Sequence, residues 1–261
     1  MCPPASSPIS FGLVAALKCE VRPFLRRAAS VRRLTGLPAA WRFQLGEWSG
    51  IAAVSGMGAD KARATARRLI EIYSPRLLIS LGYGGAVKPD LAPGTVVLGQ
   101  EYRHYDPGGP TLTPLCPLWA GPSIQELVTH LQAAGLPAAA AVLVTTPRVI
   151  VKHREGAPLL FLSNPVLDLE TAAVAALAQA SEIPFLGLRT ITDTGGEEIP
   201  DFIMAWTLTV GVPYWRLVWR LVLSKPTHWP YLTRMWHRSR WASHHLALAL
   251  TTLLPDLGPA V

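Results

Sequence analysis

The chain reads as an α/β protein: one α/β/α layered domain around a central mixed, mostly parallel sheet, with helices added at its C-terminal end. Three observations lead there. Short apolar runs bounded by Gly, Pro and Ser recur between residues 9 and 191, as buried strands do. Between them lie stretches with helical periodicity, and that alternation is the mark of a layered α/β fold. Half of the 261 residues are hydrophobic and only 16% are charged, which suits one sizeable core and excludes a disordered chain.

The elements follow in order. Ile9–Leu17 is a continuous apolar run and reads as a buried strand. Arg22–Ala29 reads as a helix. Trp41–Leu45 and Gly50–Ser55 read as two strands around a turn at 46–49. Gly56-Met57-Gly58 interrupts the pattern, and Asp60–Tyr73, rich in Ala and Arg, has helical propensity. Leu77–Leu81 is a strand ending in the turn Gly82-Tyr83-Gly84-Gly85. Thr95–Leu98 is a strand that can extend to Tyr105. Ile124–Ala134 is a helix stopped by Gly135. Ala140–Thr145 and Pro158–Leu162 read as strands, Thr171–Gln179 as a helix and Phe185–Ile191 as a strand. No internal repeat appears. The expected organisation is a catalytic domain over 1–202 and a basic, Trp-rich helical extension over 203–261, packed on it and broken at Pro213, Pro226 and Pro230.

The formal charge is 24 − 17 = +7, which points to an anionic partner or surface. The excess is uneven. No acid lies between Asp201 and Asp256, a stretch holding Arg216, Arg220, Lys225, Arg234, Arg238 and Arg240. It also holds Trp206, Trp215, Trp219, Trp229, Trp236 and Trp241. Trp and Arg together on helices suit a lipid interface, and they equally suit a helix that packs its Trp face while its arginines reach water. Peripheral membrane contact through 206–241 is one expectation. Nucleic acid is disfavoured, since no recognised binding motif is present. Cys2, Cys19 and Cys116 are too scattered for a disulfide framework or a zinc site, which fits a reducing, cytoplasmic setting. Neither a secretory leader nor a spanning helix is expected. The histidines show no metal-ligand spacing, and His244-His245 reads as surface.

Two acids stand out. Glu170 opens a run of small residues that reads as a helix, and Asp193 ends an apolar strand. Ligands of α/β sheets bind at the carboxyl ends of strands, so Asp193 is placed for chemistry. Its bland alternative is a helix cap in Thr-Asp-Thr, and that of Glu170 is a first-turn acid facing the helix dipole.

With its wider pattern the chain resembles the nucleoside phosphorylase and nucleosidase superfamily over roughly residues 9–202. Ala16-Leu17-Lys18-Cys19-Glu20-Val21 is similar to the family's first strand end, which closes on a catalytic Glu. Ser55-Gly56-Met57-Gly58 resembles its Ser-Gly-x-Gly turn. Ser80-Leu81-Gly82-Tyr83-Gly84-Gly85 and Pro93-Gly94-Thr95-Val96-Val97 resemble its glycine-rich strand end and the segment after it. Asp168-Leu169-Glu170 is similar to its ribose-holding Glu-Met-Glu, and Thr192-Asp193 to the Ser-Asp at its base site. The methylthioadenosine/adenosylhomocysteine nucleosidases and the hopanoid-associated phosphorylases are the branches it resembles most; the second also carries a basic helical C-terminal extension.

The resemblance implies cleavage of the N-glycosidic bond of a 5′-substituted adenine nucleoside, without a metal or other cofactor, in a homodimer. Asp193 becomes the general acid at purine N7, for which burial would have to raise its pKa. Glu170 becomes the clamp on the ribose hydroxyls, through charge-assisted hydrogen bonds. Glu20 becomes the activator of water. Gly82, Tyr83 and Gly84 form a wall of the site, with Tyr83 standing where the family usually has a small Ser. Leu169 packs on the sugar, Thr192 flanks the base, and Val149 and Ile150 lie in the base pocket or in the core. Ser80 stands where the superfamily's phosphorylases typically carry a phosphate-binding Arg. That favours water as nucleophile, with phosphate as the alternative co-substrate, held by Lys18, Arg22 or Arg63. The basic tail raises the possibility that the nucleoside carries a lipid, as adenosylhopane does. A reading from another class also stands: a catalytically silent nucleoside-binding or membrane-associated module.

Overall fold

The computed structural model describes residues 9–37, 39–109, 112–197, 200 and 229–257. Ten strands form one sheet. In chain order the elements are β1 (Phe11–Ala15), α1 (Lys18–Leu25), β2 (Ser30–Leu34), β3 (Ala40–Leu45), β4 (Trp48–Val54), α2 (Ala59–Tyr73), β5 (Leu77–Ala86), β6 (Val96–Tyr105), β7 (Leu112–Leu115) and α3 (Ile124–Ala133). Then come β8 (Ala138–Thr145), the short α4 (Lys152–Glu155), β9 (Pro165–Asp168), α5 (Thr171–Ala180), β10 (Phe185–Asp193) and α6 (Trp229–Leu257).

The centre of the sheet is parallel, running β4–β1–β5–β10, and β6–β8–β9 are parallel among themselves. Antiparallel pairs join the parts: β10 to β6, β5 to β9, and the β2–β3–β4 meander at one edge. Because β10 pairs with both β5 and β6, the strands β5, β10, β6, β8 and β9 close into a ring. Closure removes the free edges of these strands and fixes the relative height of their ends, where the acids lie.

Helices cover both faces. Val21 and Phe24 of α1, Leu127, Val128 and Leu131 of α3, and Leu246, Leu250, Leu253 and Leu254 of α6 bury against one. Ala62, Ala66 and Leu69 of α2 and Val174, Ala175 and Ala178 of α5 bury against the other. The small residues of α2 and α5 let these helices lie close to the sheet.

Several boundaries differ from expectation. The helix expected at 22–29 occupies Lys18–Leu25 instead, and β2 follows it. Strand β2 escaped notice because Ser30–Arg33 are all exposed, so the edge strand has no apolar alternation to reveal it. Strand β5 does not stop at Leu81 but continues through the glycines to Ala86. Residues 158–162 are no strand: Ala157–Leu159 form a 3-10 turn, and the strand lies at Pro165–Asp168. Pro230 does not break the tail. It occupies the first turn of α6, where a missing N–H costs nothing. Pro213, Pro226, Trp206, Trp215 and Trp219 lie outside the described residues.

Helix α6 packs on α1 and on β10. Ser243 and His245 are buried there, and His245 Nδ1 lies 2.6 Å from Gly94 O. His245 is thus a core residue rather than a surface one, while His244 is exposed. Among the described residues, no helix is long and apolar enough to cross a membrane.

Candidate active site

The carboxyl end of β5 is the floor of the site, and its glycines make room for acids from other elements. A methyl group on Gly82 would lie 2.9 Å from Glu20 Oε1, and one on Gly85 would lie 2.5 Å from Asp193 Oδ2. Contacts that short exclude any side chain larger than hydrogen unless the carboxylate moves. Gly84 faces the other supporting layer, Val166 of β9 and the Cβ of Arg189.

Glu20 sits in the first turn of α1 rather than at the end of β1, and it is buried. Its Oε2 accepts the Leu17 N–H at 2.7 Å and its Oε1 the Tyr83 N–H at 3.2 Å. The first bond is a helix-capping contact; the second ties α1 to β5. Burial pushes its pKa up to about 7, and the nearby Glu170 adds to the rise, against backbone hydrogen bonds and Arg189.

Glu170 occupies the N-cap position of α5, with no capping bond from its side chain, and is half-buried. Its Oε1 accepts the Gly58 N–H at 2.7 Å, so the Ser-Gly-Met-Gly turn ahead of α2 is docked on it. Burial, and then the charge of Asp168, raise its pKa to about 7. Two carboxyl groups that sense one another, both titrating near neutrality, are typical of catalytic clefts.

Beneath them lies a buried polar cluster. Arg189 of β10 is 1% exposed. Its Nε donates to Asp168 Oδ2 at 2.9 Å, and its terminal nitrogen donates to Thr171 Oγ1 at 2.6 Å and Ser80 Oγ at 2.9 Å. Asp168 also accepts from the hydroxyls of Thr145 and Thr171 and from the backbone of Glu170 and Thr171. The cluster satisfies a charge that burial alone would forbid, and it fixes the start of α5, hence Glu170.

Asp193 ends β10. A register shift between Ile191 and Asp193 sets it opposite Gly85; such bulges re-aim a side chain beside functional sites. Thr192 Oγ1 donates to Asp193 Oδ1 at 2.9 Å. The partial burial expected for this acid brings a cation with it: Lys152 Nζ lies 2.5 Å from Oδ2. A cation therefore faces the carboxylate.

The other expected positions fall as follows. Tyr83 sends its backbone N–H to Glu20 and its hydroxyl to α6, where it meets Ser239 O at 3.2 Å and Ser243 Oγ at 2.5 Å. Leu169 and Val149 are half-buried. Ile150 is packed among Val87, Tyr105, Val142 and Leu159, so its side chain is core. Lys18, Arg22 and Arg63 are not the cations that act on the buried acids; the arginine that neighbours Glu20 and Glu170 is Arg189. Sequence reasoning missed Lys152, Arg189, and the Arg238–Glu197 pair at 2.6 Å that ties α6 to the segment after β10. Lys152 follows Val149-Ile150-Val151, and a lone cation at the end of an apolar run was its available signal. Among the described residues, no group of three or more His, Cys, Asp or Glu is arranged to hold a metal ion.

The chain is similar to proteins of known family and fold. A 5′-methylthioadenosine/S-adenosylhomocysteine nucleosidase of Pseudoalteromonas translucida is 24% identical over 223 residues, covering 78% of this chain and 92% of the relative. The enzyme of that name from Hydrogenovibrio crunogenus is 27% identical over 211 residues, covering 71% and 86%. Among solved structures, the futalosine hydrolase of Helicobacter pylori superposes with a TM-score of 0.71 at 14% identity, covering 97% of this chain and all of the other. The nucleosidase of the same organism, complexed with a pyrrolidine ligand, gives 0.69 at 14%, covering 95% and 98%. At such identities the structures share the fold. Residues 10–209 match the family model described as the phosphorylase superfamily, and the chain belongs to that family.

Proposed function

We propose that this protein is a nucleosidase that hydrolyses the N-glycosidic bond of a 5′-substituted adenine nucleoside and releases adenine. The observation that carries the reading is the meeting of Glu20, Glu170 and Asp193, from three different elements, around the glycine end of β5. Cleavage develops positive charge on the sugar and negative charge on the base, as in glycoside hydrolysis. Asp193 meets N7 of the purine, Glu170 holds the ribose hydroxyls, and Glu20 takes the proton of the attacking water. Its raised pKa lets Glu20 act as a base near neutral pH. Gly82, Gly84 and the backbone of Tyr83 line the sugar side, Leu169 packs on the ribose, and Thr192 and the backbone of Val149 and Ile150 border the base.

Water is the favoured nucleophile. The Ser80 hydroxyl accepts from Arg189, whose charge is engaged by Asp168, so that among the described residues this arginine is not committed to an external anion. The relatives' names, nucleosidases, agree. Phosphate-dependent cleavage is the second reading. Adenine release from methylthioadenosine, followed with and without phosphate, decides between them: strict phosphate dependence overturns the hydrolase, and nucleoside binding without release leaves the binding module.

The 5′ substituent is proposed to be apolar, adenosylhopane being the candidate, with the extension beyond residue 202 meeting the inner face of a membrane. What supports this is the first turns of α6. They expose Trp229, Trp236 and Trp241, each about half accessible, with Arg234 and Arg240 beside them and the Arg240 guanidinium 4.7 Å over the Trp236 ring. The homodimer expected from the family is part of this proposal. Co-sedimentation with anionic vesicles, and adenine release from adenosylhopane and methylthioadenosine in parallel, test it. Release from the thio-nucleoside alone, with no vesicle binding, overturns the lipid reading and leaves the nucleosidase intact.

A further inference from the structure

The proposed cleavage consumes a proton at the purine, and Asp193 has a proton donor beside it. Lys152 Nζ donates to Asp193 Oδ2 at 2.5 Å and to Thr194 O at 2.9 Å. The lysine side chain is 4% exposed and that of the aspartate 18%. The carboxylate is therefore the outer member of the pair, toward the cleft, and the ammonium the inner one.

The chain spends structure on placing this lysine. Lys152 opens the four-residue helix α4. A methyl group on Gly156 would lie 2.5 Å from Lys152 O, so only glycine lets the turn close that tightly. Ahead of it, Glu155 pairs with Arg148 and accepts the Val151 N–H at 2.9 Å, clamping the segment that leads in. Burying an ammonium needs compensating partners, and one of them is the candidate acid itself. Among the described residues, the other titratable groups at this end of β10 include Arg234, Arg238, Glu197 and Tyr231, of which Arg238 and Tyr231 interact electrostatically with Asp193. Arg238 is already paired with Glu197.

We propose that Lys152 is the proton reservoir of the site and passes its proton through Asp193 to the departing base. The inference rests on the reading of Asp193 given above. As C1′–N9 breaks, its electron pair goes to the base. One proton moves from Nζ to the carboxylate and one from the carboxylate to N7, so Asp193 ends as it began and Lys152 is left as a neutral amine. Water bonds to C1′ and gives its proton to Glu20. Solvent then reprotonates Lys152 and accepts the proton from Glu20. Lys152 touches no substrate atom; it is a positioning residue that also stores the proton.

Arginine at 152 separates this role from plain electrostatics, because guanidinium keeps its charge but does not give up a proton in proteins. Adenine release from methylthioadenosine is measured against pH for wild type, Lys152→Arg, Lys152→Met and Asp193→Asn, with cleavage of 4-nitrophenyl riboside, whose leaving group needs no proton, as the control. The expected result is a roughly 10²–10⁴-fold fall in kcat for adenine release in both lysine variants. The nitrophenyl riboside reaction should hold within about threefold of wild type. In wild type itself, adenine release should depend on pH in a way that nitrophenyl riboside cleavage does not. Wild-type rate and pH profile in Lys152→Arg overturn the reservoir, as does an equal loss on both substrates. The wild-type comparison decides the matter even if both lysine variants fail to fold. Undiminished adenine release in Asp193→Asn instead overturns the role of Asp193, a separate result.

Discussion

Gly82 and Glu20 are matched to one another: the missing side chain of the first is the space taken by the carboxylate of the second, with 2.9 Å between the position of a methyl group and Oε1. Gly85 and Asp193 repeat the relationship at 2.5 Å. In both cases the atom that would be struck is the far end of a side chain, which can rotate away. Gly82→Ala and Gly85→Ala are therefore expected to fold, with melting temperatures within a few degrees of wild type. Their kcat/KM should fall at least tenfold, because misplacing a catalytic group by about 1 Å costs on the order of 10²-fold. Steady-state kinetics beside thermal melting checks this. Wild-type kcat/KM in both variants would mean that neither carboxylate needs its present position.

Stability should depend on pH through Glu20 and Glu170. Each has a folded pKa raised from 4.5 to about 7. Between those values the folded state binds more protons than the unfolded one, so stability falls as pH rises. The contribution is fully present below about pH 4.5 and lost as pH passes 7. For the buried Glu20 the cost of ionisation is about 3 kcal/mol. Denaturant melts at pH 5.5 and 8 should show it, and Glu20→Gln should flatten the difference. A wild-type slope in that variant would assign the pH dependence elsewhere.

Glu170 should be read through the sugar. Hydrogen bonds to a charged group are worth roughly 1.5–3 kcal/mol, so Glu170→Gln is expected to lose about 10–100-fold in kcat/KM on the ribonucleoside. On the matching 2′-deoxynucleoside the loss should be much smaller, since part of the contact is already missing. Equal losses on the two substrates would remove Glu170 from the ribose.

The Arg189–Asp168 pair should be a stability element first. Removing one partner of a buried ion pair costs about 3–5 kcal/mol. Arg189→Met is expected to lower the denaturation free energy by that order and to lower activity through the start of α5. Urea denaturation measures the first and adenine release the second. A change under 1 kcal/mol would mean that the pair contributes little.

Much of this was legible in the chain. Apolar runs such as Leu77–Leu81 and Phe185–Ile191 announce strands because burial on both faces favours apolar side chains at most positions, with Ser80, Arg189 and Thr190 as the exceptions. Glu170 and Asp193 are legible because an acid at the edge of such a run conflicts with its surroundings and asks for a reason. Strand β2 was not legible, because an exposed edge strand obeys no such demand. Lys152 was not assigned either: its role depends on a partner 41 positions away, and no local pattern encodes the ring of strands and the turn at Gly156 that bring them together. Arg189 was visible in the sequence but not as a buried residue, since its burial is permitted only by Asp168, Thr171 and Ser80 from other elements.

Helix α6 holds the site from behind. Its backbone and Ser243 bind the hydroxyl of Tyr83, and its Arg238 binds Glu197 and the carbonyl of Thr192. Both strands that carry the cleft, β5 and β10, thus depend on a helix that leaves the ribosome after they do. While the polypeptide is still being made, the acids exist but their supports do not. A chain released early, short of residue 229, would be born inactive, and any ligand that steadied α6 against its sheet would hasten the enzyme's maturation.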